Sequence, residues 1–209
     1  IARRVDFLTA YQDAGYADRF RKLVARVRDA ERSLGGTRLT EAVARNYAKL
    51  LAYKDEYEVA RLYARPEFRQ GLEAAFEGEY TMRFHFAPPL LARRDPATGR
   101  PRKIEFRGWM GPALKGLAKF RFLRGTALDP FGRTAERRTE RQLIMDYEAT
   151  IATLLAGLSA DRLATAVEIA ALPDVIRGFG PVKAEAIAKA KARETELLAR
   201  FHAPAARAA

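Results

Sequence analysis

Apolar residues return every three or four positions along most of this chain, and that spacing commits it to helices packed on one another. The cleanest case runs from Thr134 to about Ala156, where Leu143, Ile144, Tyr147, Ile151, Leu154 and Leu155 form one stripe. In an extended segment the same residues would scatter over both faces. The period also predicts helix over residues 1–33, with Val5, Leu8, Phe20, Leu23, Val24 and Val27 supplying apolar stripes and Gly15 a point of bending. Gly35-Gly36 stops it, since paired glycines lose too much backbone freedom to continue a helix. A second helix is predicted over 39–64, capped by Thr37 or Thr40. It ends where Pro66 forces Arg65 out of helical geometry. Others follow over about 66–77, from Pro112 to Leu123, from a Ser159 cap to Pro173, and from Pro181 to about Phe201.

The period changes in one place. In YTMRFHF, Tyr80, Met82, Phe84 and Phe86 alternate with Thr81, Arg83 and His85, the mark of a half-buried strand whose apolar side chains face a helix. Pro88-Pro89 interrupts it, DPATG over 95–99 supplies turn chemistry, and RKIEF over 102–106 returns as a second strand. The expected architecture is a mainly α-helical, bundle-like domain of about seven helices with one small antiparallel β-hairpin. Its parts are an N-terminal helical segment over 1–36, a helical domain over 37–202 with the hairpin near 80–107, and a disordered tail over 203–209. No internal repeat or low-complexity linker divides it.

Composition narrows the function classes. Apolar residues make up 48% of the 209 and charged residues 31%, as in ordinary globular proteins. No run approaches the ~18 apolar residues of a membrane span and no signal peptide opens the chain, so a cytoplasmic protein is expected. The start at Ile1, already helical in character, suggests a piece of something longer. There is no cysteine, which removes thiolate nucleophiles and Cys-ligated clusters or zinc. His85 and His202 are far apart, and no convergent carboxylates suggest a metal site. No phosphate-binding glycine loop follows a strand, and no nucleophile elbow is present. Neither a catalytic residue nor a metal ligand is therefore assigned.

Two features point to partners. The net charge is +12, and residues 93–141 hold 14 Lys or Arg against 5 Asp or Glu, a net +9 in under a quarter of the chain. Such clustering favours an anionic partner over a merely solvated face. The second feature is RGFGPVKAEAI over 177–187, whose Gly178, Gly180, Ala184 and Ile187 match the spacing of a helix-hairpin-helix, a motif that grips nucleic-acid phosphate at a helix start. In that motif Leu-Pro directly precedes the first glycine, whereas here Leu172-Pro173 lies upstream with four residues between. The plainer reading makes RGFGPVK a turn between helices, with Gly178 as C-terminal glycine, Gly180 as N-cap and Pro181 as the first helical residue. His85 reads as a histidine on the polar face of its strand or hydrogen-bonded under the hairpin, in preference to a catalytic group. Lys54-Asp55-Glu56 with Glu58 reads as a solvated helix face, with Asp55 open to pairing with Arg61 or an arginine of the basic segment.

Four stretches together resemble one family: RLTEAVARNYAKLLAYKDEYEVARLY (38–63), RFHFAPPLLARRDPATGRPRKIEF (83–106), FLRGTALDPFGRTAERRTERQLI (122–144) and LPDVIRGFGPVK (172–183). The chain is similar to the C-terminal region of indolepyruvate ferredoxin oxidoreductase, the large single-chain bacterial type; its first 35 residues match less distinctively. The resemblance implies a parent enzyme that uses thiamine diphosphate and Mg²⁺ to decarboxylate an aryl pyruvate to an acyl-CoA. That parent passes electrons through iron–sulfur clusters to ferredoxin and is expected to be a homo-oligomer. None of those cofactors is expected in this chain, whose implied role is that of an accessory domain packing on the parent's catalytic domains. As an isolated piece it is expected to have no activity. Coenzyme A phosphates or an acidic face of ferredoxin would suit Arg93, Arg94, Arg100, Arg102 and Lys103, which flank the hairpin turn. A basic helix-hairpin-helix-like nucleic-acid-binding module is the alternative, though nucleic acid is not the expected partner.

Overall fold

The computed structural model describes residues 1–87, 96 and 102–203. It is mostly helical with one two-stranded antiparallel sheet, the class expected from the sequence. The described residues form nine α-helices rather than seven, because two predicted helices are each divided. The chain folds as two compact units, one of residues 1–53 with 139–209 and one of residues 54–138. The boundary expected at residue 36 falls inside the first.

In the first unit, helix α1 (Ala2–Tyr11) stops at Gln12 and α2 (Ala14–Glu31) restarts with Asp13 as N-cap, its carboxylate accepting from the Tyr16 amide at 2.7 Å. The predicted bend near Gly15 is thus a full break, made by the aspartate. Helix α3 (Arg38–Leu51) is not capped by the side chain of Thr37 or Thr40 as expected. The fully buried Glu31 does it from α2, accepting from the Leu39 and Thr40 amides and the Thr40 hydroxyl at 2.7–2.8 Å. A carboxylate there satisfies otherwise orphaned donors and meets the positive end of the helix dipole.

Past residue 138, α7 (Ala135–Ala156) presents the predicted stripe, burying Leu143, Ile144, Tyr147, Ile151 and Leu154. Helix α8 (Leu163–Ala171) starts later than expected: Ser159 bonds Asp161 rather than capping it. A 3-10 turn, Leu172–Val175, precedes α9 (Pro181–His202). Residues from all these helices meet in one core that includes Phe20, Val43, Tyr47, Leu154, Ile169 and Phe201, with Val5 of α1 packed against it.

The second unit starts where the predicted helix over 39–64 breaks. Asp55 caps α4 (Glu56–Ala64) by accepting from the Glu58 amide at 2.8 Å. Helix α5 (Pro66–Ala75) begins on its proline as predicted. Strands β1 (Phe84–Phe86) and β2 (Ile104–Phe106) pair antiparallel with His85 opposite Glu105. Helix α6 (Met110–Lys119) starts two residues before Pro112 and passes into a 3-10 turn, Phe120–Leu123. Phe84, Met82 and Phe86 pack with Ala60, Leu114 and Ala118, so three of the four alternating residues face helices. Tyr80 does not: it is 42% exposed, because the paired strand begins only at Phe84. His85 is exposed, on the polar face.

Candidate functional site

The basic segment divides into cations the fold consumes and cations it displays. Of the expected anion-binding residues, Arg93, Arg94 and Arg100 lie outside the described residues, as do residues 204–209 of the expected tail. Arg102 and Lys103 are exposed just before β2. Residues 102–138 carry 10 Lys or Arg against 3 Asp or Glu.

The most deeply buried of the consumed cations is Arg124, only 4% exposed. Its guanidinium makes a forked pair with Asp55, Nε to Oδ2 at 2.5 Å and Nη2 to Oδ1 at 2.9 Å, and lies over the Tyr57 ring. Asp55 is therefore no solvated residue; an arginine of the basic segment holds it, while Arg61 forks onto Glu58 instead. The Tyr57 hydroxyl donates to Asp129, whose carboxylate also accepts from the Gly125 and Phe131 amides at 2.8 and 3.0 Å. Burial first, then the Asp129 carboxylate, raises the Tyr57 phenol above its ordinary pKa and keeps it a donor. The predicted loop over 125–132 is thus wound around one buried aspartate. Arg137 reaches Glu56 at 3.5 Å.

The displayed cations share their surface with aromatic rings. Trp109 is 62% exposed, Phe120 51% and Phe122 56%, with Arg107, Lys115 and Lys119 exposed among them. Trp109 and Phe106 form a T-shaped pair at 5.8 Å, and Phe120 tilts against Phe122 at 6.1 Å. Arg107, Lys115 and Lys119 form no ion pair among the described residues.

RGFGPVK is a turn between helical segments, in the first unit. Gly180 is the N-cap at φ 55° and Pro181 the first helical residue, as read. Gly178 follows the 3-10 turn rather than ending α8, at φ 93°, and a Cβ there would sit 2.8 Å from Val182 Cγ1. The Lys183 ammonium is directed inward, donating to the buried Glu140 at 2.5 Å. Phe179 and Val182 stay exposed.

A second polar cluster lies between helices of the first unit. Arg19 forks onto Glu148 at 2.6 and 2.8 Å, and Tyr47, stacked between Phe20 and Tyr147, donates its hydroxyl to the same carboxylate. Burial alone would raise the Glu148 carboxyl, but the bonds from Arg19 and Tyr47 outweigh it and hold it below its ordinary range. Lys49 donates to the carbonyls of Pro173 and Asp174 beside a shallow cleft lined by Leu50, Leu143, Tyr147 and Ile176; burial lowers its ammonium pKa.

Sequence reasoning missed Glu31, Glu140 and Asp129, and it offered Asp55 an arginine of the basic segment without selecting Arg124, since such partners are distant or ambiguous among so many charges. One local signal existed: Asp55 followed three residues later by Glu58, before an apolar run, marks a helix start. Among the described residues no three His, Asp or Glu side chains converge as a metal site requires, and no helix is long and apolar enough to cross a membrane. No curated protein and no solved structure matches the chain. A family model does match, over residues 1–196, and the chain belongs to that family, DUF6537, a family of unknown function.

Proposed function

We propose that this chain is the C-terminal accessory domain of a cytoplasmic indolepyruvate ferredoxin oxidoreductase, with a structural and docking role. The observation that carries the reading is the resemblance of four stretches, in order, over residues 38–183. Two structural features support a docking role. The buried ionisable groups are already spent on the fold: Asp55 on Arg124, Glu31 on the start of α3, Glu140 on Lys183. The exposed charge of residues 102–138 is predominantly positive, with only Glu105 and Glu136 exposed among the cations, and it lies beside uncovered aromatic rings. Such a surface steers an anionic partner and gives it apolar anchors. The parent supplies the thiamine diphosphate and cluster chemistry; this domain offers contacts to its catalytic domains, to ferredoxin or to coenzyme A.

In the full-length enzyme, Arg102→Glu with Lys103→Glu is expected to raise KM for ferredoxin or coenzyme A by roughly threefold to tenfold at low salt, the difference shrinking as salt rises. Unchanged kinetics for both, in a folded protein at low salt, would remove the docking role.

A further inference from the structure

The outer face of α6 has a shape as well as a charge. Trp109, Ala113, Gly116 and Phe120 are spaced by four, three and four residues, so they lie along one line of the helix, opposite the buried Leu114 and Ala118. Trp109 belongs to that line because its backbone is already helical, at φ −62° and ψ −19°. The two rings are eleven residues apart, about 16 Å along the axis. Between them the floor is a methyl group and a bare backbone: a Cβ on Gly116 would meet nothing within 4 Å. The result is an open slot about three turns long, with an exposed aromatic ring at each end and Lys115 and Lys119 along one flank.

Resting on the docking role above, we propose that this slot receives an acidic amphipathic helix of a partner protein, its apolar side chains seated between Trp109 and Phe120 and its carboxylates against Lys115 and Lys119. A floor with no side chain beyond a methyl lets a second helix axis approach closely. The slot length suits apolar anchors at i, i+3 or i+4, and i+7. A second copy of this chain is disfavoured by charge, since the chain carries +12 overall and this face adds no carboxylate of its own. A single-stranded nucleic acid fits less well, because its bases need open parallel ring faces. Here the ring planes of Trp109 and Phe106 cross at 82° and those of Phe120 and Phe122 at 36°, so neighbouring rings form no parallel stack.

Trp109 is the only tryptophan, so its fluorescence reads this face alone. The folded chain is titrated with a peptide of about 18 residues, leucine at helical spacing and glutamate elsewhere. The comparisons are the same peptide with lysine for glutamate and an oligothymidine of similar length. A saturable blue shift with the glutamate peptide only is expected. Lys115→Glu with Lys119→Glu should weaken it roughly tenfold at low salt. Gly116→Leu should abolish it with an unchanged or raised melting temperature, since leucine fills the slot while favouring the helix. No shift, equal binding of the lysine peptide, tighter binding of oligothymidine, or a shift that follows protein concentration without peptide would each overturn the proposal. Failure here, with the KM response to Arg102 and Lys103 reversal intact, would remove this face while leaving the docking role.

Discussion

The two units solve the problem of stability by different means. Among the described residues the first buries one continuous apolar core, rich in Leu, Val, Ile and Tyr from α2, α3, α7, α8 and α9. The second buries only Ala60, Phe84, Leu114 and Ala118 in its apolar cluster, and sets beside it the almost dry Asp55–Arg124 pair with Tyr57 and Asp129. Hydrophobic burial is additive and tolerant of small errors. A buried ion pair is neither: its net worth is small, but losing one partner strands a charge. The first unit is therefore robust through redundancy, and the second is held by a few contacts that must all be present.

The sharpest test of that contrast is Arg124→Met. It strands Asp55 at 3% exposure and removes the ion that spans the start of α4 and the 125–132 loop. A loss of about 3–5 kcal/mol is expected. In urea the Trp109 transition, which reports on the second unit, should fall further than the far-ultraviolet circular dichroism transition, to which the first unit's helices contribute most. Transitions that move together would mean the units unfold as one, and the energetic contrast would fail. The reciprocal change is Leu154→Ala, at a fully buried site of the first core. It should cost about 2–4 kcal/mol through lost burial and a residual cavity, and act chiefly on the dichroism transition. A smaller effect comes from Glu148. Its carboxyl pKa is below the ordinary 4.5 when folded, so its contribution is present above that value and is lost as pH falls through it and below. Glu148→Gln should therefore lower stability slightly at neutral pH and flatten the acid decline of the dichroism transition. An unaltered acid limb would show that the Arg19–Glu148–Tyr47 cluster adds nothing beyond packing.

The sequence disclosed what depends on neighbours a few residues apart. The α7 stripe, the alternation ending in Phe84 and Phe86, and Gly180-Pro181 at a helix start are all local patterns, and the structure carries each of them. The break at Ala52–Asp55 was hidden because no glycine or proline marks it; the competing signal was helical propensity on both sides, and Asp55 won by capping α4 and meeting Arg124. That meeting spans 69 residues, and nothing in the spacing of charges selects Arg124 from among the arginines of the segment. Tyr80 misled in the opposite direction, since alternation continues for residues that never enter the ladder. For the candidate surface, net charge was visible from composition. The slot on α6 was not, because it depends on what is missing between two rings.

The first unit is discontinuous in sequence, and this dictates an order of events during synthesis. Residues 1–53 leave the ribosome with the apolar faces of α2 and α3 complete, but the residues that cover them, from Leu143 to Phe201, are made only after all of residues 54–138. The Tyr47–Glu148 bond spans 101 residues, so it cannot help in the interval. Glu31 can: its bonds to Leu39 and Thr40 reach only eight and nine residues and form as soon as α3 emerges. The Glu31 bonds can therefore tie α2 to α3 before the covering residues are translated, at the stage when exposed apolar surface is most prone to aggregate.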